Sequence, residues 1–294
     1  MRKKTAVFIL ILFAPLSVRA NVASLHPRTT GYFQSNFKYM VAGGKSEEIR
    51  IPIPFYVIRH TQGVVLFDSG LGVEFPDQVN AWWGHRWSQK LLPFEFRKEE
   101  AAVEQMKRMG IPPDEVRFII LSHLHNDHAS GIQDFPKAKI VLSKKEWESL
   151  PKSRWRARLK GIMLEPLKGV RERLQLIDYS KGIAHGPFES SHDFFGDGSL
   201  ILLSTPGHTP GSQSLLVSLS SGLKILLTGD AVWVRENYLW PSPKSWFIRT
   251  FEEDASQAWK TTLQLRKFHE ENPEVLIIPG HDPHLWGELS SEYR

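Results

Sequence analysis

Ser122-His123-Leu124-His125-Asn126-Asp127-His128 decides the reading of this chain. It sets three imidazoles and a carboxylate within six residues, directly after the apolar run Val116-Arg117-Phe118-Ile119-Ile120-Leu121. Such a string suits an ordinary core badly, because each polar group taken out of water needs a partner. Metal binding meets that need, since imidazole with carboxylate suits zinc and also accommodates iron, manganese or cobalt. Three more ligand candidates follow the same pattern. His208 lies in Gly207-His208-Thr209-Pro210-Gly211 after Leu200-Ile201-Leu202-Leu203, and Asp230 in Thr228-Gly229-Asp230-Ala231 after Leu223-Lys224-Ile225-Leu226-Leu227. His281 lies in Pro279-Gly280-His281-Asp282 after Val275-Leu276-Ile277-Ile278. Each apolar run reads as a buried strand, and each Gly or Pro beside a ligand as the turn that ends it. Strand ends are rigid enough to carry a preorganised site.

The spacing suggests how the ligands divide. His123 and His125 can face one ion, which His208 completes, while Asp127 and His128 turn towards a second ion completed by His281. Asp230 can bridge the two through its two oxygens. Ions roughly 3.5–4 Å apart would share a hydroxide and clamp both oxygens of a displacement at an acyl or phosphoryl centre. Asp127 can also help protonate a departing alkoxide. The remaining histidines (His26, His60, His85, His185, His192, His269 and His284) have no comparable context and read as ordinary surface or core residues.

Together with Phe67-Asp68-Ser69-Gly70, Phe195-Gly196-Asp197-Gly198-Ser199 and Thr205-Pro206-Gly207-His208-Thr209-Pro210-Gly211, these motifs resemble the metallo-β-lactamase superfamily over roughly residues 30–285. The resemblance implies an α/β fold, a four-layer αβ/βα sandwich with a dinuclear site at one edge where two sheets meet. It also implies that Asp68 orients a ligand loop, since a metal-bound His usually passes its other N–H to an acceptor. Within the superfamily the chain is most similar to the N-acyl-homoserine lactonase group. That likeness rests on Ile51-Pro52-Ile53-Pro54-Phe55-Tyr56-Val57-Ile58, on Met106-Lys107-Arg108-Met109-Gly110-Ile111-Pro112-Pro113-Asp114 and on Gly280-His281-Asp282. It implies two divalent ions, zinc first, and a small-molecule lactone or carboxylic ester substrate. Two positions depart from the group. Its usual Tyr three residues after the bridging Asp is Trp233 here, and Asn126 stands where an aromatic is common. An indole N–H donates one hydrogen bond but cannot act as a phenolic acid, so Tyr238 becomes the alternative phenol. The expected reacting groups are thus Asp127, Asp230, Trp233 and Tyr238. An organophosphate or aryl ester is the second substrate class for the same site, ahead of a β-lactam or a non-catalytic metal-binding role.

The first 20 residues carry Arg2, Lys3 and Lys4, then an apolar stretch from Ala6 to Leu16, then Val18-Arg19-Ala20. This is the pattern of a cleaved secretory signal, and its apolar stretch is short for a bilayer span. The expectation is a periplasmic or secreted protein with no stable membrane anchor, residues 21–294 forming a single hydrolase domain. Removing Arg2, Lys3, Lys4 and Arg19 lowers the net charge from +5 to +1, which gives no support to a nucleic-acid partner. With no Cys, disulfides are excluded and any metal must be held by N and O donors.

Strands are expected near 51–59, 63–68, 116–121, 138–142, 174–178, 199–204, 213–218, 223–228 and 274–279. Helices are expected over 97–109, stopped by Gly110, and over 254–270, capped by Asp254 with Ala255, Ala258, Trp259 and Leu263 on its inner stripe. Lys152-Ser153-Arg154-Trp155-Arg156-Ala157-Arg158-Leu159-Lys160 reads as a solvated helix face, with an anionic surface or partner as the sharper reading. Trp82-Trp83-Gly84-His85-Arg86-Trp87 and the group Trp233, Tyr238, Trp240 and Trp246 around Pro241 and Pro243 either wall an apolar pocket, pack over the sandwich or form a homodimer contact.

Overall fold

Alternation along the apolar runs builds the layers. In the computed structural model, which describes residues 21–83, 94–240 and 244–294, the strands are β1 (Val22–Asn36), β2 (Glu48–His60), β3 (Gly63–Phe67), β4 (Phe94–Phe96), β5 (Val116–Ile120), β6 (Lys139–Ser143) and β7 (Leu174–Ile177). They continue as β8 (Ile183–His185), β9 (Phe188–Asp193), β10 (Leu200–Ser204), β11 (Gln213–Ser218), β12 (Lys224–Leu227) and β13 (Leu276–Ile278). The first seven form one sheet in the order β4-β1-β2-β3-β5-β6-β7, and the last six a second in the order β13-β12-β11-β10-β9-β8. Successive side chains of a strand point to opposite faces. Val65, Phe67, Phe118 and Ile120 of the first sheet therefore meet Leu202, Leu215, Val217, Ile225 and Leu227 of the second in a central core. Their neighbours Val64, Leu66 and Ile119 pack outward under Val103 and Met106, while Leu203, Leu216 and Leu226 pack under Leu265 and Phe268.

The helices that close the outer layers are α1 (Phe75–Trp83), α2 (Ala102–Arg108), α3 (Asn126–Ala129), α4 (Lys144–Glu148), α5 (Arg154–Leu159), α6 (Glu236–Leu239), α7 (Trp246–Arg249), α8 (Ala255–Glu271) and α9 (Pro283–Glu288). The result is the four-layer αβ/βα sandwich that the resemblance implies. The expected signal segment, the stretch from Gly84 to Trp87, and Pro241 and Pro243 lie outside the described residues.

The long helix begins as expected, with the Asp254 carboxylate accepting the Gln257 N–H at 2.9 Å. Its inner stripe is corrected. Ala258, Thr261, Thr262, Leu265 and Phe268 are buried, whereas Leu263 is exposed. The two threonines can face the core because their hydroxyls donate to the Pro206 and Ala258 carbonyls. The 97–109 helix is shorter than expected, because extended backbone at Ala101 separates a single 3-10 turn from α2.

Candidate metal centre

Each ligand candidate sits three to eight residues beyond a strand: the 123–128 string after β5, His208 after β10, Asp230 after β12 and His281 after β13. Two tight approaches bring these loops together. A Cβ at Gly280 would lie 2.5 Å from the Asp230 Oδ1, and one at Gly207 only 2.2 Å from the Ala258 nitrogen at the start of α8. Only glycine permits either contact, which explains the Gly beside His208 and His281 in the sequence.

All seven candidates converge. His123, His125, His208 and Asp230 form one group and Asp127, His128 and His281 a second, with the ligand atoms of each group within 4.8 Å of one another. Asp230 faces both. Its Oδ1 is 3.2 Å from the Nε2 atoms of His128 and of His281, and its Oδ2 is 3.3 Å from the Nε2 of His208. Asp127 Oδ2 lies 3.5 Å and 3.6 Å from the Nε2 atoms of His281 and His128.

The donor set fits metal ions. His123 Nε2, His128 Nε2 and Asp230 Oδ1 are buried and form no hydrogen bond, and the Nε2 of His208 faces the Nδ1 of His125 at 3.0 Å. Polar atoms buried this deeply ordinarily find partners, so their convergence fits a site able to hold a cation. Burial pushes the His123 imidazole well below its usual range and takes His125 down to about 3, so both are neutral donors. Burial also opposes ionisation of Asp230, yet the imidazoles of His281, His128 and His208 hold its carboxyl well below the usual range.

The far side of most rings is fixed by an acceptor. Asp68, the one non-glycine residue with positive φ (57°) among the described residues, takes the His128 Nδ1 at 2.8 Å and the Ser122 N–H and hydroxyl at 2.7 and 2.9 Å. Ser122 Oγ lies 2.9 Å from His123 Nδ1, and the Pro52 carbonyl 2.9 Å from His281 Nδ1. This orienting role of Asp68 is the one implied by the resemblance.

Three supports escape sequence reading. Glu252 approaches His208 Nδ1 at 3.4 Å and Lys244 at 2.5 Å, while Lys244 also donates to the Asp230 carbonyl at 2.8 Å. Burial works against the Glu252 charge, but Lys244 and His208 bring its carboxyl down to about 2. Glu146, also buried, accepts from the Leu124 N–H at 3.1 Å, the Thr209 hydroxyl at 2.7 Å and the Gly211 N–H at 3.0 Å, so it ties the first ligand loop to the His208 loop. Nothing in the residue types of Lys244, Glu252 or Glu146 separates them from surface charges.

A cavity of about 520 Å³ opens onto the centre, lined by His125, Asp127, His208, Asp230 and Trp233 and walled by Phe33, Phe94, Leu159 and Phe251. Trp233 stacks edge-on to His281 with ring centroids 5.2 Å apart, and its buried Nε1 has no acceptor. Tyr238 is a correction. It is absent from that lining and packs on His269 at 5.5 Å among Phe188, Leu265 and Phe268, where burial pushes its hydroxyl up to about 12. The α6 backbone turns it into the layer beneath the second sheet. Trp240 and Trp246 are exposed and do not line the cavity either.

Residues 50–281 match the metallo-β-lactamase superfamily. The chain is 28% identical over 246 residues to an N-acyl homoserine lactonase, AttM, of Rhizobium radiobacter, covering 84% of this chain and 88% of the relative. It is 29% identical over 236 residues to an N-acyl homoserine lactonase of a Bacillus species, covering 80% and 83%. A solved N-acyl homoserine lactone hydrolase, with N-hexanoyl-L-homoserine at its catalytic metal centre, superposes with a TM-score of 0.73 at 22% identity, over 92% of this chain and 97% of that one. AidC, a dizinc quorum-quenching lactonase, gives 0.63 at 18% identity, over 90% and 91%. The chain belongs to the metallo-β-lactamase superfamily and is one of its metal-dependent hydrolases.

Proposed function

We propose that this hydrolase opens the ring of N-acyl homoserine lactones, a quorum-quenching reaction. The observation that carries the reading is the placement of both ligand groups, joined by Asp230, at the floor of a cavity with aromatic and aliphatic walls. The AttM and Bacillus relatives support the substrate class. Two divalent ions held by these groups, zinc on the strength of the N and O donors, would supply an electrophile for the carbonyl oxygen and lower the pKa of the attacking water towards neutrality.

The chain's own residues do the rest. Phe33, Phe94, Leu159 and Phe251 shelter an acyl chain and keep bulk water from the reacting carbonyl. The Trp233 N–H, lacking an acceptor in the protein, donates to a substrate oxygen. As the attacking water adds to the carbonyl carbon and the ring C–O bond breaks, the Asp127 carboxylate accepts the water's proton and passes it to the departing alkoxide. Asp127 suits this role because its side chain remains partly exposed to the cavity while Asp230 is sealed.

Trp233 also favours a second reading, hydrolysis of an aryl ester or phosphotriester, since these leaving groups need no phenolic acid. Turnover of the zinc-loaded protein on lactone, aryl ester, phosphotriester and β-lactam substrates separates the readings. A lactone kcat/KM above the others by about tenfold or more supports lactonase activity, and a higher phosphotriester or aryl ester value overturns it. We further propose export after cleavage behind Ala20, so that the N-terminus of protein recovered outside the cytoplasm begins near Asn21. Full-length chain confined to the cytoplasm would refute this.

A further inference from the structure

Five of the nine large apolar side chains exposed among the described residues fall in two short segments: Trp155 and Leu159, and Trp246, Phe247 and Phe251. Both segments reach the cavity, since Leu159 and Phe251 are among its lining residues. An ion pair between Lys160 and Glu253 clamps the segments side by side. A soluble protein rarely leaves so much apolar surface concentrated in one place without using it.

The arrangement on α5 is specific. Ala157 is fully buried and faces the core, so Trp155 and Leu159, one turn apart, form a ridge on the opposite face, 60% and 76% exposed. Arg156 and Arg158 flank that ridge. Arg154 is paired with Glu165 and Lys160 with Glu253, but Lys152, Arg156, Arg158 and, in the second segment, Arg249 form no ion pair among the described residues. The second segment is equally preformed. Tyr39, Phe247 and Phe251 make a continuous row with centroid separations of 5.2 and 5.5 Å, and Trp246 stands beyond Phe247 at 6.0 Å, 76% exposed.

We propose that this rim docks the protein on an anionic phospholipid surface, with the cavity mouth turned towards the bilayer. Tryptophan and leucine at headgroup depth, flanked by unpaired cations, match such an interface in both polarity and charge. A second copy of the chain fits less well. A two-fold contact through this rim would set Arg156, Arg158 and Lys152 against their own equivalents. The docked orientation would let an acyl-chain amphiphile pass from lipid into the cavity without crossing bulk water, an advantage that rests on the lactonase reading. The docking itself does not depend on that reading.

Vesicle co-sedimentation of the full mature chain tests it without any turnover. The probes are pure phosphatidylcholine vesicles and phosphatidylcholine vesicles with about 30 mol% phosphatidylglycerol. Binding should favour the mixed vesicles by about tenfold and weaken as salt is raised from about 0.05 M to about 0.5 M. Trp155→Ser with Trp246→Ser should lose most of the binding, and Arg156→Glu should lose the preference for anionic lipid. Neither variant should shift the unfolding temperature, because these side chains are exposed. Equal binding to both vesicles, or binding to neither, overturns the proposal. So does a wild-type dimer in sedimentation equilibrium that the double Trp variant converts to monomer.

Discussion

Trp233 carries the sharpest test at the scale of single residues. Its indole N–H is buried on the cavity wall beside His281 and lacks an acceptor in the protein. A preorganised donor aimed at a developing oxyanion is worth roughly 2.7–4 kcal/mol in the transition state. Trp233→Phe should therefore lower kcat on lactones and esters alike, by about a hundred- to a thousandfold. Trp233→Tyr should raise lactone turnover relative to ester turnover. An unchanged lactone-to-ester ratio of kcat/KM in the Tyr variant would remove position 233 from the substrate contacts. At this scale the ligands were legible in the sequence because imidazoles and carboxylates crowd together after apolar runs. Lys244, Glu252 and Glu146 were not. Lysine and glutamate are ordinary surface residues, and only the approach of distant loops buries these three. Tyr238 was misleading for a related reason, since proximity to Asp230 in sequence says nothing of the direction in which α6 turns it.

Among the elements, the segment from Lys244 to Glu252 acts as a brace for the second sheet's ligands. Glu252 faces His208 Nδ1 at 3.4 Å, and Lys244 joins Glu252 to the Asp230 carbonyl. Glu252→Gln removes the charge while keeping the shape, which leaves the buried Lys244 cation without its partner. Loss of such an outer partner typically costs 10–100-fold in metal affinity. Competition with a chromophoric chelator should show that weakening for one ion per chain, with KM changed less than kcat. Equal affinity in variant and wild type would reduce Glu252 to a packing residue. The strands beneath this brace were readable because each is a short apolar run ended by Gly or Pro. The long β1 was not. Pro27, Gly31 and several polar residues interrupt it, and its pairing with β2 absorbs them by register shifts at Val22–Ser24 and Thr29–Tyr32. The 3-residue β4 and β8 are too brief to show any period.

Two predictions concern the whole molecule. Burial pushes the Asp134 carboxyl up to about 6, offset only in part by the Val73 N–H that it accepts at 2.9 Å. The folded chain then binds more protons than the unfolded chain between about pH 4 and pH 6, so stability falls as pH rises through that window. Asp134→Asn keeps an acceptor for Val73 without the charge. It should raise urea stability at about pH 8 by on the order of 2 kcal/mol and change little at about pH 4, whereas an equal effect at both would show that charge is not the cause. The second follows from where the ligands originate. The loop after β5 belongs to the first sheet, and those after β10, β12 and β13 to the second, so the bound ions would tie the two halves of the sandwich together. Metal that binds only the folded chain adds about 4 kcal/mol at a thousandfold excess over Kd. For a domain of this size each kcal/mol moves Tm by about 2–4 °C, so stripping the metal with a chelator should lower Tm by about 8–16 °C for each ion removed. Returning zinc should restore Tm with a break at two equivalents per chain, and Asp230→Asn should blunt the recovery because it removes the shared ligand. A Tm indifferent to chelation would mean that these imidazoles hold the sheets together through hydrogen bonds alone.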